Sequence, residues 1–127
     1  GATKLVEVSV IGAASNEEAR AVAKQVVGSN LVKTAIYGAD ANWGRIIGAV
    51  GQANAYVNPD LVDVKLGSIE MLRSSNPLVY SEEEAKAYLE RDNIEISVNL
   101  NVGSGSGMAW GCDLSYDYVK INASYRT

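Results

Sequence analysis

Apolar and polar residues alternate from Val6 to Val10, with Val6, Val8 and Val10 on one side and Glu7 and Ser9 on the other. That period of two predicts a strand with one buried face, which Gly12-Ala13-Ala14 ends. The period then lengthens. Ser15-Asn16-Glu17-Glu18 has the spacing of a capping box, in which the Ser15 hydroxyl accepts from the N–H of Glu18 and the Glu18 carboxylate reaches back. Ala19, Val22, Ala23, Val26 and Val27 follow at helical spacing and predict a core-facing helix, with Gly28 as its stop. Leu31 to Tyr37 is apolar and β-branched enough to predict a second strand.

Asp40 or Asn42 can cap a further helix with Trp43, Ile46, Ile47 and Val50 on its apolar side. Gly44, Gly48 and Gly51 weaken that helix, by about 1 kcal/mol each in an exposed interior, and would admit another backbone close by. Asn58-Pro59-Asp60 is a turn. Val62, Val64 and Leu66 alternate with charged residues, and Gly67-Ser68 turns the chain into Ile69–Arg73 as a hairpin partner. Ser75-Asn76-Pro77 opens a loop, and Ser81-Glu82-Glu83-Glu84 is a second capping box, starting a helix with Ala85, Tyr88 and Leu89 inward. The longest alternation, Ile94 to Val102, predicts a strand joined through Gly103-Ser104-Gly105-Ser106-Gly107 to an antiparallel partner from Met108 to Leu114. The residues from Ser115 to Thr127 alternate enough for a last strand with a loose end.

Three short helices among hairpin-like strands predict an α+β fold, with helices packed on a largely antiparallel or mixed β-sheet, in a single compact domain over residues 1–127. A chain of 127 residues can bury about two thirds of its unfolded surface, enough for a core without staples. A net charge of −4 with 11 scattered Lys and Arg offers no footprint for nucleic acid, and no apolar run is long enough to span a membrane. Cys112 is the single cysteine, so no internal disulfide can form and a reducing, cytoplasmic setting is expected. The chain opens Gly1-Ala2-Thr3-Lys4 with no initiator Met and no visible signal peptide, which suggests a processed chain or an excised domain.

Histidine is absent, which removes the commonest general base and metal ligand at neutral pH. Cys112 therefore lacks an imidazole to activate it and is expected at a half-buried strand position. The run Glu82, Glu83, Glu84 is explained by a helix N-terminus, so no metal site is expected. The Gly-Ser run at 103–107 lacks a Walker lysine and is expected to be a flexible hairpin loop. Asp40-Ala41-Asn42-Trp43-Gly44-Arg45 brings a carboxylate, an amide, an indole and a guanidinium together. The residues alone favour a structural role, with Arg45 pairing back to Asp40. An anion site at the helix N-terminus is the weaker alternative, since Asp40 opposes an anion. Near the end, Asn122 offers an amide and Thr127 a hydroxyl and a carboxylate, on a tail whose Tyr116, Tyr118, Val119, Ile121 and Tyr125 are too apolar for a solvated end.

The helix-junction stretch Tyr37-Gly38 and Asp40 to Arg45 resembles a signature of the bifunctional ornithine acetyltransferase / N-acetylglutamate synthase (glutamate N-acetyltransferase) family of arginine biosynthesis. The likeness continues through Gly1-Ala2-Thr3-Lys4, Ser15 to Ala19, Leu31 to Gly38, and Cys112-Asp113-Leu114 to Asn122-Ala123-Ser124-Tyr125-Arg126-Thr127, in the family's order. The resemblance implies a precursor that cuts itself into α and β chains, the new N-terminal Thr of the β chain becoming the nucleophile. Acetyl then moves from N-acetylornithine to that Thr and on to glutamate, with acetyl-CoA a further donor in some members and with no cofactor.

On this likeness the chain is the C-terminal part of the β chain. No catalytic residue is expected in it, since the nucleophilic Thr lies upstream of Gly1 and Thr3 is no substitute. Asn122 and Thr127 match family substrate-binding positions. Expected partners are the α chain and the remaining β-chain residues, in a hetero-oligomer, with no nucleic acid and no membrane. The isolated chain is expected to be inactive. Alternatives from the residues alone are a stand-alone small-molecule-binding or regulatory α+β module, which would show a saturable thermal shift with amino acids, and a pure oligomerisation module.

Overall fold

The computed structural model of this protein describes residues 4–112. Val6, Val8 and Val10 are fully buried along β1 (Leu5–Ala13), as their alternation predicts. Ser15 caps α1 (Asn16–Gly28), its Oγ accepting from the Glu18 N–H at 3.1 Å. Only half of the capping box forms. The Glu18 carboxylate instead accepts from the Tyr56 N–H at 2.6 Å and ties α1 to the segment after α3 (Trp43–Gln52). Gly28 is the last residue of α1 rather than a stop beyond it, and Ser29 both ends α1 and caps the next helix.

That next element corrects an expectation. Leu31 to Tyr37 is not a strand but lies in the helix α2 (Asn30–Tyr37). Its buried residues Val32, Lys33, Ala35 and Ile36 follow a helical, not an alternating, period, and Ser29 Oγ accepts from the Val32 N–H. Tertiary packing overrides the β-branched propensity here. Helix α3 buries Ile46, Ala49 and Val50, with Trp43 and Ile47 partly buried against the core. No described backbone approaches its glycines: a methyl group on Gly48 or Gly51 would meet open space.

Strands β2 (Asp63–Leu66) and β3 (Ile69–Arg73) form the expected hairpin across Gly67-Ser68, with Leu66 opposite Ile69. Asn76–Pro77 adds a two-residue strand, β4, where a loop is expected. Ser81 caps α4 (Glu82–Leu89), which buries Ala85 and Leu89. Strand β5 (Asn93–Asn99) does not pair with β6 (Gly105–Cys112), contrary to the hairpin expectation. β1 inserts between them, parallel to β5 and antiparallel to β6.

The sheet order is β4-β3-β2-β5-β1-β6, with β1–β5 the one parallel pairing among the described residues. All four helices cover one face, where Val8, Ile96, Leu66, Met71 and Leu89 form the core. The result is an α+β fold with a mixed, open sheet, as predicted, carrying one more helix than the three expected. The residues from 113 to 127, including the predicted last strand, lie outside the described residues.

Glycines of the 103–107 run are fixed by packing rather than by loop freedom. Methyl groups on Gly103, Gly105 and Gly107 would run into Ala13, Ser15 and Arg20, so α1 lies directly on the β6 backbone.

Candidate functional site

The helix junction at 38–45 resolves into a clamp between two helices. α2 ends in a Schellman motif: the Asp40 N–H donates to the Ala35 carbonyl at 2.8 Å and the Ala39 N–H to that of Ile36 at 3.0 Å, with Ala39 left-handed at φ 54°. Asn42 caps α3, its Oδ1 accepting from the Arg45 N–H at 3.2 Å, and its Nδ2 donates to Asp40 at 3.4 Å. Arg45 Nη1 donates to the Leu31 carbonyl at 2.9 Å, so the guanidinium returns to the start of α2. The expected Arg45–Asp40 ion pair does not form; among the described residues the one ion pair is Arg73–Glu70.

Tyr80 closes the junction from below, its hydroxyl donating to the Ala41 carbonyl at 3.3 Å. Burial raises its pKa above the usual tyrosine range, and the carboxylates of Glu82 and Asp40 raise it further. The recess beneath, between Ile36, Ile46 and Leu89, has a cavity volume of about 10 Å³. That is at the lower limit for one water. These bonds tie the end of α2 to the start of α3, and the recess itself is too small for a substrate.

A larger concavity lies on the opposite face of the sheet, which no described helix covers. It measures about 360 Å³ and is lined by Ser9, Ile11, Asp63, Lys65, Ser97 and Asn99. That volume is in the range of small-ligand clefts. The register explains the set: Lys65 lies opposite Ser97, which lies opposite Ser9, and Asp63 lies opposite Asn99, which lies opposite Ile11. Asp63 is held in place, its Oδ1 accepting from the Ser74 N–H at 2.7 Å and its Oδ2 from Asn101 Nδ2 at 3.1 Å. Ser74 and Asn101 both adopt left-handed backbone, at φ 48° and 56°. Outlying backbone of this kind around one carboxylate marks a constrained corner.

This face presents hydroxyls from Ser9 and Ser97, an amide from Asn99, a carboxylate from Asp63 and an ammonium from Lys65. Cys112 is buried in β6 rather than half-buried. Among the described residues no group of acidic, Cys or His side chains could hold a metal ion, and no helix is long and apolar enough to cross a membrane. Sequence reasoning missed this face because each polar residue in it reads simply as the outward half of an alternating strand; only the strand order shows which of them meet. Asn122 and Thr127 lie outside the described residues.

A family model described as the ArgJ family matches residues 1–127. The arginine biosynthesis bifunctional protein ArgJ of Geobacillus kaustophilus is 67% identical over 127 residues, covering 100% of this chain and 31% of that protein. The protein of the same name from Halalkalibacterium halodurans is 63% identical over 128 residues, with the same shares covered. The crystal structure of the arginine biosynthesis bifunctional protein from Bacillus halodurans superposes with a TM-score of 0.88 at 63% identity, covering 98% of this chain and 59% of that one. The chain thus spans about 31% of the length of the curated relatives it matches.

Proposed function

This chain belongs to the ArgJ family, and from that premise we propose that it is the C-terminal part of the β chain of an enzyme moving acetyl from N-acetylornithine to glutamate. The observation that carries the proposal is the match of the family model from residue 1 to residue 127. In this account a Thr upstream of Gly1 attacks the acetyl carbonyl of N-acetylornithine. The tetrahedral intermediate is stabilised by oxyanion-hole donors elsewhere in the enzyme. Ornithine leaves with the proton the Thr hydroxyl gave up, and the acetyl-Thr ester is then attacked by the amino group of glutamate. The segment of this chain shapes the domain and supplies substrate contacts through Asn122 and Thr127. An amino-acid ligand stripped of water needs such partners for its charged ends.

Strand register supports that geometry. Leu5 lies opposite Cys112, so the chain enters β1 and leaves β6 side by side at one end of the sheet. The two ends of the described chain are therefore neighbours. Incubating the 127-residue chain with N-acetylornithine and glutamate tests the proposal: no acetylglutamate should form, and transfer by this chain alone would refute it.

A further inference from the structure

We infer that the helix-free face of the sheet is the surface on which the rest of the parent polypeptide, the part preceding Gly1, docks. The inference rests on the proposal that the chain belongs to a longer enzyme, and it adds which face is covered and by what chemistry. The relatives are about three times as long as this chain, so ample polypeptide exists to cover it.

Three observations converge on this face. First, β1 and β5 pair in parallel in the middle of the sheet. Parallel pairs are characteristically covered on both faces, and among the described residues only one face is covered. Second, of the seven large apolar side chains that stand exposed among the described residues, Ile11, Met108 and Trp110 all project from this face. The register sets Met108 beside Ser9 and Trp110 beside Glu7, so these apolar residues flank the polar cleft along β1 and β6. The other four are scattered over α2 and loops. Third, the charges are incomplete. Glu7 and Glu95 lie opposite each other on adjacent strands, and one indole N–H, from Trp110 at 2.9 Å, serves Glu7. Lys65 stands exposed across from Ser97, with no partner among the described residues. Carboxylates facing one another across strands are unfavourable until a cation joins them. The docked surface therefore presents an acidic or carbonyl group over Lys65, a cation over Glu7 and Glu95, and apolar side chains over Ile11, Met108 and Trp110.

A diazirine analogue of lysine incorporated at Lys65 of the parent enzyme, followed by irradiation and peptide mapping, tests this. The expected cross-link is to a peptide preceding Gly1. Cross-links to residues 113–127, to a second copy in a mixture of light and heavy protein, or to solvent alone would each overturn the inference. Should that variant fail to assemble, Ser97→Cys gives a second readout. Its thiol should react about tenfold more slowly, or slower still, than that of Lys24→Cys on the exposed side of α1, and equal rates would overturn the docking face. Acetyl transfer measured on the same unmodified enzyme keeps the two questions apart: its absence would remove the proposed function while the cross-link still reports what covers the sheet.

Discussion

The α-carbon of Gly105 in β6 rests on the backbone of Ser15, the residue that caps α1, so closely that a methyl group there would land on the Ser15 carbonyl. Backbone cannot swing aside as a side chain can. Gly105→Ala should therefore lower stability by about 2–3 kcal/mol, through displacement of α1 from the sheet. Gly48→Ala is the control, since its site is open and helical. It should be neutral or stabilising by up to about 1 kcal/mol. Urea midpoints of the two variants check both, and an unchanged midpoint for Gly105→Ala would refute the close approach.

Ala39 holds the left-handed position that ends α2, at φ 54°, where glycine is the usual occupant. The Asp40 N–H to Ala35 carbonyl bond depends on that conformation. Ala39→Gly should raise stability by about 0.5–1 kcal/mol, because relief of the left-handed cost exceeds the added entropy of the unfolded chain. Thermal unfolding measures it, and a lower midpoint would contradict the motif.

Much of this fold was legible from pattern alone. Val6, Val8 and Val10 alternate and are buried; Ser15 and Ser81 cap helices where their spacing says they should, and of the two candidates Asp40 and Asn42 it is Asn42 that caps α3. The two largest departures were not. Leu31 to Tyr37 is a helix because Ser29 caps it and because Val32 and Ile36 fit one helical side against the core, whereas β-branched residues bias a local reading toward a strand. The insertion of β1 between β5 and β6 is a long-range pairing, and nothing in the Gly-Ser run at 103–107, whose last three residues begin β6 rather than form a loop, specifies which strand β6 will meet. The cleft lined by Lys65, Ser97 and Ser9 exists only through that strand order, so it was invisible in the sequence. At the helix junction, Arg45 reaches the Leu31 carbonyl rather than Asp40, a contact between helices that local spacing does not specify.

Tyr80 supplies the pH dependence. Burial first, then Glu82 and Asp40, raise its pKa above the ordinary 10.0. The folded state therefore holds the proton more tightly than the unfolded state. Its contribution to stability is complete below the unfolded value and is lost as pH climbs through the raised one. Unfolding midpoints should fall above about pH 10, and Tyr80→Phe should flatten that fall. An identical alkaline profile in the variant would remove Tyr80 from the account.

The proposed function relies most on Asn122 as a substrate contact. In the parent enzyme, Asn122→Ala should cost about 1–3 kcal/mol in kcat/KM, the usual loss when a buried polar group forfeits its partner. Steady-state kinetics with N-acetylornithine and glutamate read this directly, and unchanged constants would take Asn122 out of the site.

Which residue carries the acetyl group decides the matter. The parent enzyme would be quenched during turnover with N-acetylornithine, and the acetylated peptide located by mass spectrometry. The modification is predicted on a threonine preceding Gly1, with residues 1–127 unmodified. An acetyl group on Thr3, Thr34, Cys112 or any other residue of this chain would contradict the account.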